Sequence, residues 1–334
     1  MKFTLIICTY KRSKVITNLL DSVAVQTLYP DEILIIDGSP DDLTKEIIDS
    51  KSYRNLSYFK VEPKDRGLTR QRNFGIDKVN TTSEIVAFLD DDTVLERHYF
   101  QKLLATYSLY PKALGVGGYI INEVNWKRVQ IDYNPKLDEY YFDEHIRVDG
   151  IRFIARKKLN LDSNVSPGFS PLFGHGRSVG FLPPSDKIYE VEQLMGGVSS
   201  FKKEVFNTTQ FSTYFEGYGL YEDADFTLRL AKKGKLYINT SAKLEHHHDN
   251  AGRPNKYQYG KMVVRNGWYV WRIKNTNPTF NHRFKWNAIT ILLTLIRATN
   301  IVNTNKRKEA LTETVGRTVG WFGLIFSKPK IEKE

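Results

Sequence analysis

The sequence predicts an α/β fold, a mostly parallel sheet flanked by helices with a helical appendage at its C-terminal end. Three observations carry this. Apolar runs without polar alternation recur at residues 3–8, 32–36 and 85–89, the mark of strands covered on both faces. Segments of helical period lie between them, at the spacing of βαβ units. Polar residues of chemical consequence follow successive strands, and open α/β sheets gather such residues along one edge.

With 334 residues, 41% apolar and 13% aromatic, the chain can bury a full core and does not resemble a disordered polymer. Its length suits one large domain with an appendage, or two domains. The single cysteine, Cys8, excludes a disulfide framework and a thiolate metal cage, and reads as a small apolar residue of the first strand. The first residues lack the apolar stretch and small-residue cleavage site of a signal peptide, so a reducing, cytoplasmic setting is expected.

In chain order, the strand at 3–8 leads into the loop Thr9-Tyr10-Lys11-Arg12. Residues 13–26 have helical period through Val15, Leu19, Leu20 and Val23. The strand at 32–36 ends in Asp37-Gly38, residues 43–48 read as helix, and 56–61 as a third strand. A loop with Asp65, Arg66 and Gly67 opens a helix over 68–79 that carries Arg70 and Asn73. The strand at 85–89 then runs into Asp90-Asp91-Asp92. A buried strand cannot hold three unpaired acids in its interior, so they sit where it emerges. Carboxylates there suit a hard divalent cation carrying a phosphate. Taken alone, the triplet is equally an acidic turn with Asp92 capping a following helix. The recurrence of Thr9, Tyr10, Asp37, Arg66, Arg70 and Asn73 after neighbouring strands favours a nucleotide-diphosphate pocket.

Residues 122–190 mix charges, aromatics and turn formers, and read as an irregular insertion beside the site, where acceptor specificity would reside. His175 and Arg177 are candidate substrate contacts within it. Gly196-Gly197 marks a close backbone approach to a ligand or another segment. Glu222 and Asp223 fall at the start of a helix that ends near Gly234, where the dipole and free N–H groups favour the carboxylate form. A carboxylate so placed can take a proton from an aligned alcohol. An N-cap pair explains the same residues equally well, and Asp225 is a rival base. A strand over 235–238 follows, and 242–248 ends in three histidines. If that end is extended, His246 and His248 share a face and His247 points away. One imidazole could complete a metal shell, although triple histidines are more often solvated.

Six landmarks together resemble family 2 glycosyltransferases with the GT-A fold: Ile6-Ile7-Cys8-Thr9-Tyr10-Lys11-Arg12, Leu34-Ile35-Ile36-Asp37-Gly38-Ser39, Gly67-Leu68-Thr69-Arg70-Gln71-Arg72-Asn73, Phe88-Leu89-Asp90-Asp91-Asp92, Gly196-Gly197-Val198-Ser199-Ser200-Phe201 and Tyr221-Glu222-Asp223. They stand in the family's order over residues 3–250. The resemblance implies a GT-A-type, Rossmann-like catalytic domain at 1–250, with a nucleotide-sugar-binding half at 1–120 and an acceptor-side half at 121–250. Residues 251–334 then form a basic, aromatic-rich helical region.

The implied reaction moves a sugar, with inversion, from a nucleotide-diphosphate sugar to a hydroxyl of a glycan or lipid-linked acceptor in surface polysaccharide biosynthesis. UDP is favoured, with dTDP or GDP as alternatives. By the resemblance, Thr9 and Asp37 would contact base and ribose, with Tyr10 and Arg12 beside them. Arg66, Gly67, Arg70 and Asn73 would be nucleotide- and sugar-side contacts. Asp90 and Asp92 match the DxD pair that works with Mn2+ or Mg2+, and Asp91 would face the donor sugar. Asp223 matches the general base, with Glu222 beside it. His246 matches a third metal ligand of some members, but the family does not fix which histidine serves, and His248 stays in the set. Gly196, Gly197 and Asp225 fall on the acceptor side.

The net charge of +11 is unevenly placed: from Arg253 onward there are 16 Lys/Arg against 4 Asp/Glu, and the preceding residues are near neutral. The apolar runs at 288–296 and 319–326 are shorter than the about 20 residues that span a bilayer. With Lys306, Arg307, Lys308 and Trp321 they fit interfacial docking on anionic lipid through 265–326, at the inner face of the cytoplasmic membrane. The alternative is an appendage packed on the enzyme or on a second subunit, which leaves an oligomer open. Two other functions compete. A sugar-phosphate nucleotidyltransferase usually has a Gly-rich phosphate loop after its first strand, and Thr9-Tyr10-Lys11-Arg12-Ser13 is not one. A basic nucleic-acid-binding protein would stack bases on Trp268 and Trp271 but leaves Asp90, Asp91 and Asp92 unexplained, so no nucleic acid is expected.

Overall fold

Residues 1–248 and 254–332 are described by a computed structural model, in which the chain divides into two compact units. One comprises residues 1–124 and 184–253, the other 125–183 and 254–334.

The first unit opens with the expected alternation: β1 (Phe3–Thr9), α1 (Val15–Ala24), β2 (Glu32–Asp37), α2 (Leu43–Asp49), β3 (Leu56–Lys60), α3 (Leu68–Lys78) and β4 (Ile85–Asp90). Then come β5 (Thr93–Leu95), α4 (Tyr99–Leu109) and β6 (Ala113–Ile120). The chain next builds β7 (Lys127–Arg128), β8 (Glu139–Phe142), β9 (His145–Val148) and α5 (Ile151–Lys158) of the second unit. It returns to the first as β10 (Ile188–Val191), β11 (Val198–Lys202), α6 (Glu222–Ala231) and β12 (Lys235–His246). The stretch after β12 belongs to the second unit as α7 (Lys256–Lys274), α8 (Phe280–Asn303) and α9 (Arg307–Phe326).

The sheet of the first unit has the order β10-β12-β6-β11-β4-β1-β2-β3, with β5 paired to β12. β1 to β4, β6 and β12 share one direction, so the sheet is mostly parallel, with β11 reversed between β4 and β6. Ile7, Ile33, Ile35, Ala87 and Leu89 pack with Leu19 and Leu20 of α1 and Phe100 and Leu103 of α4 in one core. Ile6, Leu34, Ile36, Val86 and Phe88, which alternate with these strand residues, are buried too, so both sheet faces are covered and the apolar runs show no alternation. Register then places chemistry at one edge. Thr9 lies across from Asp37, and Cys8 from Asp90. Reversed β11 sets Val198 opposite Leu89, which brings the preceding glycine pair to the same edge. The aspartate triplet does not cap a helix; β5 follows it at once, and α4 begins only at Tyr99. Residues 235–246 form one strand with a register shift between Ile238 and Lys243, where the sequence suggested a break. Burial pushes the Cys8 thiol up to about 12, so it is un-ionised near neutrality.

In the second unit, β7, β9 and β8 form an antiparallel sheet in that order. The stretch that reads as irregular is thus an ordered piece built around Arg177. That guanidinium is 2% exposed, bonds Asp149 at 2.8 and 2.9 Å and Asp162 at 2.5 Å, and lies over the rings of Tyr140, Phe153 and Phe181. Arg177 is therefore a structural cation, not an exposed substrate contact. Trp271 stacks on Trp286 with ring centres 5.2 Å apart and donates to the Leu172 carbonyl, so its ring is in the core and offers no platform for a base. No helix among the described residues is long and apolar enough to cross a membrane.

His175 gives this unit a pH dependence. Burial, with Arg156 nearby, pushes its imidazole down from 6.5 to about 3, and Nε2 pairs with the Thr290 hydroxyl at 3.1 Å. Between those values the unfolded chain binds the proton and the folded one does not, so stability falls as pH drops below about 6.5. The expected loss is about 3 kcal/mol at about pH 4. Since His175 has φ +56°, an Asn there keeps the backbone, and His175→Asn should flatten the acid limb of the melting temperature. An unchanged limb would show that this histidine is not its cause.

Candidate active site

The acids of β4 and of α6, far apart in sequence, meet around Arg72. This side chain of α3 is 3% exposed, pairs with Glu222 through one guanidinium nitrogen and reaches Asp90 at 3.8 Å with the other. It lies over the rings of Phe88 and Phe211, which belong to an aromatic cluster with Phe201, Phe206 and Phe226. Burial in that apolar setting opposes its charge, but Glu222 and Asp90 more than compensate and hold it above its ordinary value. Burial pushes Glu222 up to about 8 against the pull of Arg72. Its Oε2 has no hydrogen-bond partner among the described residues.

Gly196 and Gly197 make this meeting sterically feasible. A Cβ on Gly197 would fall 2.0 Å from Asp90 Cγ, and one on Gly196 would fall 2.5 Å from Glu222 Oε1. Their bare backbone passes over the acids, and the Gly196 amide donates to Asp223 Oδ2 at 3.1 Å. Asp223 Oδ1 accepts from the Ala224 amide at 2.7 Å. Tyr221, at φ +70°, turns the chain into α6 just before this pair. The helix N-terminus was expected to favour the ionised form, but burial outweighs the two amides and raises the Asp223 carboxyl. Asp225 faces inward at 0% exposure, with Oδ2 bonded to Arg229 at 2.7 Å.

The aspartates divide their contacts. Asp91 is buried, accepting from Thr9 Oγ1 at 2.7 Å and from Arg12 at 2.9 Å, and burial pushes it up to about 6 against those partners. Asp92 lies 3.3 Å from the same Arg12 nitrogen, and its Oδ1 is 3.1 Å from His246 Nε2. Ligand atoms of Asp90, Asp92 and His246 lie within 4.8 Å of one another. Two carboxylates and an imidazole nitrogen are a fitting donor set for Mn2+ and, with water filling the shell, for Mg2+. His246 Nδ1 lies 3.3 Å from Glu123, so this carboxylate can fix the ring with Nε2 towards the aspartates. Burial disfavours the imidazolium, yet Asp92 and Glu123 outweigh it and push His246 up to about 10. His248 lies ring to ring with His246 at 4.0 Å but bonds Glu123 at 2.7 Å, and His247 is turned to Glu245.

Asp37 is fully buried, accepting from the Ser39 amide at 2.7 Å and the Tyr58 hydroxyl at 2.8 Å. Tyr10, next after Thr9, is exposed in the loop that follows β1. Arg66 leads into Gly67, whose φ of +114° turns the chain into α3. Arg70 pairs with Glu216 at 2.6 Å, and Asn73 exchanges hydrogen bonds with the Phe211 backbone at 2.8 and 3.0 Å. These two, expected beside the donor, also hold the loop before α6. Residues without an assigned role in the sequence prove central. Gln71 donates to the carbonyls of Thr9 and Ile36, joining the ends of β1 and β2, and Arg72 joins the acids. Glu123 carried no sequence signal at all.

Residues 4–165 match the family model for glycosyl transferase family 2. The chain is 32% identical over 118 residues to the O-antigen chain rhamnosyltransferase RfbN of Salmonella typhimurium, covering 35% of this chain and 37% of that protein. It is 26% identical over 156 residues to the glucosyl-dolichyl phosphate glucuronosyltransferase of Haloferax volcanii, covering 44% and 48%. The chain thus spans less than half the length of either relative. A crystal structure of GalNAc-T7 with UDP, GalNAc and Mn2+ superposes with a TM-score of 0.56 at 14% identity, over 98% of this chain and 57% of that one. At that identity the likeness establishes the fold, GT-A.

Proposed function

We propose, for a chain whose residues 4–165 match the glycosyl transferase family 2 model, transfer of a sugar from a nucleotide diphosphate to a hydroxyl with inversion at the anomeric carbon. UDP is the favoured carrier, with dTDP and GDP as alternatives. The acceptor is a glycan or a lipid-linked saccharide in surface polysaccharide synthesis, and the protein works peripherally at the inner face of the cytoplasmic membrane. The relatives' names, an O-antigen chain rhamnosyltransferase and a glucosyl-dolichyl phosphate glucuronosyltransferase, support that acceptor class. The single observation that carries the reading is the convergence of Asp90 and Glu222 on Arg72, with Asp223 beside them.

In this reading Asp37 and Thr9 meet the nucleoside, and Arg12 and Arg66 supply positive charge along the phosphates. Asp90, Asp92 and His246 would hold Mn2+ or Mg2+. Bound there, the cation would offset charge on the departing diphosphate. Asp223, fixed by two backbone amides, takes the proton of the attacking hydroxyl, and Glu222 with Arg72 sets its surroundings. Asp225 pairs with Arg229 at 2.7 Å, which supports Asp223 over it as the base.

Thermal shift against UDP, GDP, dTDP and CMP, with and without Mn2+, tests carrier and metal together. One diphosphate should stabilise the protein only with metal. Asp92→Asn should abolish that shift, and Glu123→Ala should raise the Mn2+ needed by roughly 10- to 100-fold. Equal stabilisation with and without Mn2+, or by CMP alone, would overturn the reading.

A further inference from the structure

The second unit leaves two apolar helix stripes uncovered. On α8, Phe280, Phe284, Ile291, Leu295 and Val302 are exposed, at spacings of four and seven that keep them on one face. On α9, Leu311, Val315, Val319, Phe322 and Phe326 form the equivalent stripe. The opposite faces are used: Trp286 and Ile289 of α8 and Ala310, Gly316 and Leu324 of α9 are buried. Phe280 and Phe326 are 85% and 88% exposed, far beyond what scattered surface apolar residues require.

We propose that these stripes are a docking surface for an anionic lipid bilayer, lying along it and not crossing it. The inference deepens the peripheral placement proposed above and rests on it for the choice of membrane. Charge selects the occupant. Residues 254–332 carry 14 Lys/Arg against 3 Glu. Exposed Lys306, Arg307 and Lys308 stand at the turn between the helices, and exposed Lys328 and Lys330 follow α9. Of the three acids, Glu313 is buried and neutralised by Arg297 at 2.9 Å and Arg317 at 2.8 Å. Apolar stripes bounded by cations match the acyl boundary and phosphate layer of an anionic leaflet. A second copy of the same unit would bring like charge to like charge. Neither helix is apolar enough to span, so contact is along the surface.

Co-sedimentation of the full chain with vesicles tests this, using phosphatidylcholine alone and phosphatidylcholine mixed with phosphatidylglycerol, without nucleotide sugar. The chain should pellet with the anionic vesicles and weaken as salt rises. Leu295→Glu with Phe322→Glu should reduce binding roughly tenfold or more, and Lys306, Arg307 and Lys308→Gln should remove the preference for phosphatidylglycerol. All five sites are exposed, so melting temperature and the nucleotide shift should hold, which separates failure here from failure of the transferase reading. No binding to either vesicle, or undiminished binding by the Leu295/Phe322 variant, would overturn the proposal. So would a dimer in solution that these substitutions dissolve, because the stripes would then be covered by a second copy.

Discussion

Asp223→Asn is expected to lower turnover by roughly 100- to 10,000-fold while leaving the metal-dependent nucleotide shift in place. The reasoning is geometric. The Asp223 oxygens accept from the Gly196 and Ala224 amides, so the carboxylate is fixed by backbone at the start of α6 and is not a member of the Asp90, Asp92 and His246 set. An amide side chain fills the same space but cannot take a proton. The pH profile gives a second check. Burial chiefly raises the Asp223 carboxyl above its ordinary 3.8, so the base becomes protonated at a higher pH than a free aspartate would. Activity should therefore fall on the acid side beginning above that value, and the variant's residual rate should lose this limb. Near-normal turnover in Asp223→Asn would remove it as the base.

The largest stability effect should come from Arg72→Met. Removing one member of a buried ion pair costs about 3–5 kcal/mol when the remaining charge is stranded, and with Glu222 placed at about 8 that full cost is reached only above that pH. For a chain of this size that is a fall in melting temperature of roughly 5 °C. Glu222 can escape by holding its proton, since burial already places it at about 8. Its folded value lies above its unfolded one, so the stability it contributes is present at low pH and lost as pH rises through the folded value. The damage in Arg72→Met should therefore deepen with pH. Arg72→Met combined with Glu222→Gln should recover much of the loss and flatten the slope, as when a buried pair is replaced as a unit. A single variant within about 1 kcal/mol of the native protein above the Glu222 value of about 8 would show that the guanidinium does not bind the two acid sets together.

Much of the fold is legible in the sequence because burial on both faces writes itself as unbroken apolar runs. Residues 33–36 and 85–89 could be little else, and the strands sit there. The acids at strand and helix ends were legible for the complementary reason: Asp90 and Asp223 have no tolerable place inside a core without partners. What sequence could not show is which polar groups the protein spends on itself. Arg70 and Asn73 look like ligand contacts by position, yet their partners, Glu216 and the Phe211 backbone, lie more than a hundred residues away. Arg72 and Gln71 sit on the same helix and look like solvated surface, but the aromatic cluster and two strand ends close over them. The triple histidine could not be parsed from sequence, because His246 is set between Asp92 and Glu123 while His248 shares Glu123 with it, partners that lie far off in the chain. The stretch 122–190 hid its order because Arg177 with Asp149 and Asp162 stands at the centre of its aromatic packing, and charges in a core interrupt any hydrophobic period.

The chain's path in and out of its second unit limits how the protein can be shortened. That unit is assembled from an internal excursion and the C-terminal helices, and Leu161 and Phe173 of the excursion share a core with Ile289 of α8. A stop codon after β12 would strip away the helices and leave those side chains facing water in the middle of what remained. A minimal catalytic fragment therefore needs two edits, a bridge in place of 125–183 as well as the terminal cut, and a library of simple truncations would yield aggregates long before it yielded an enzyme.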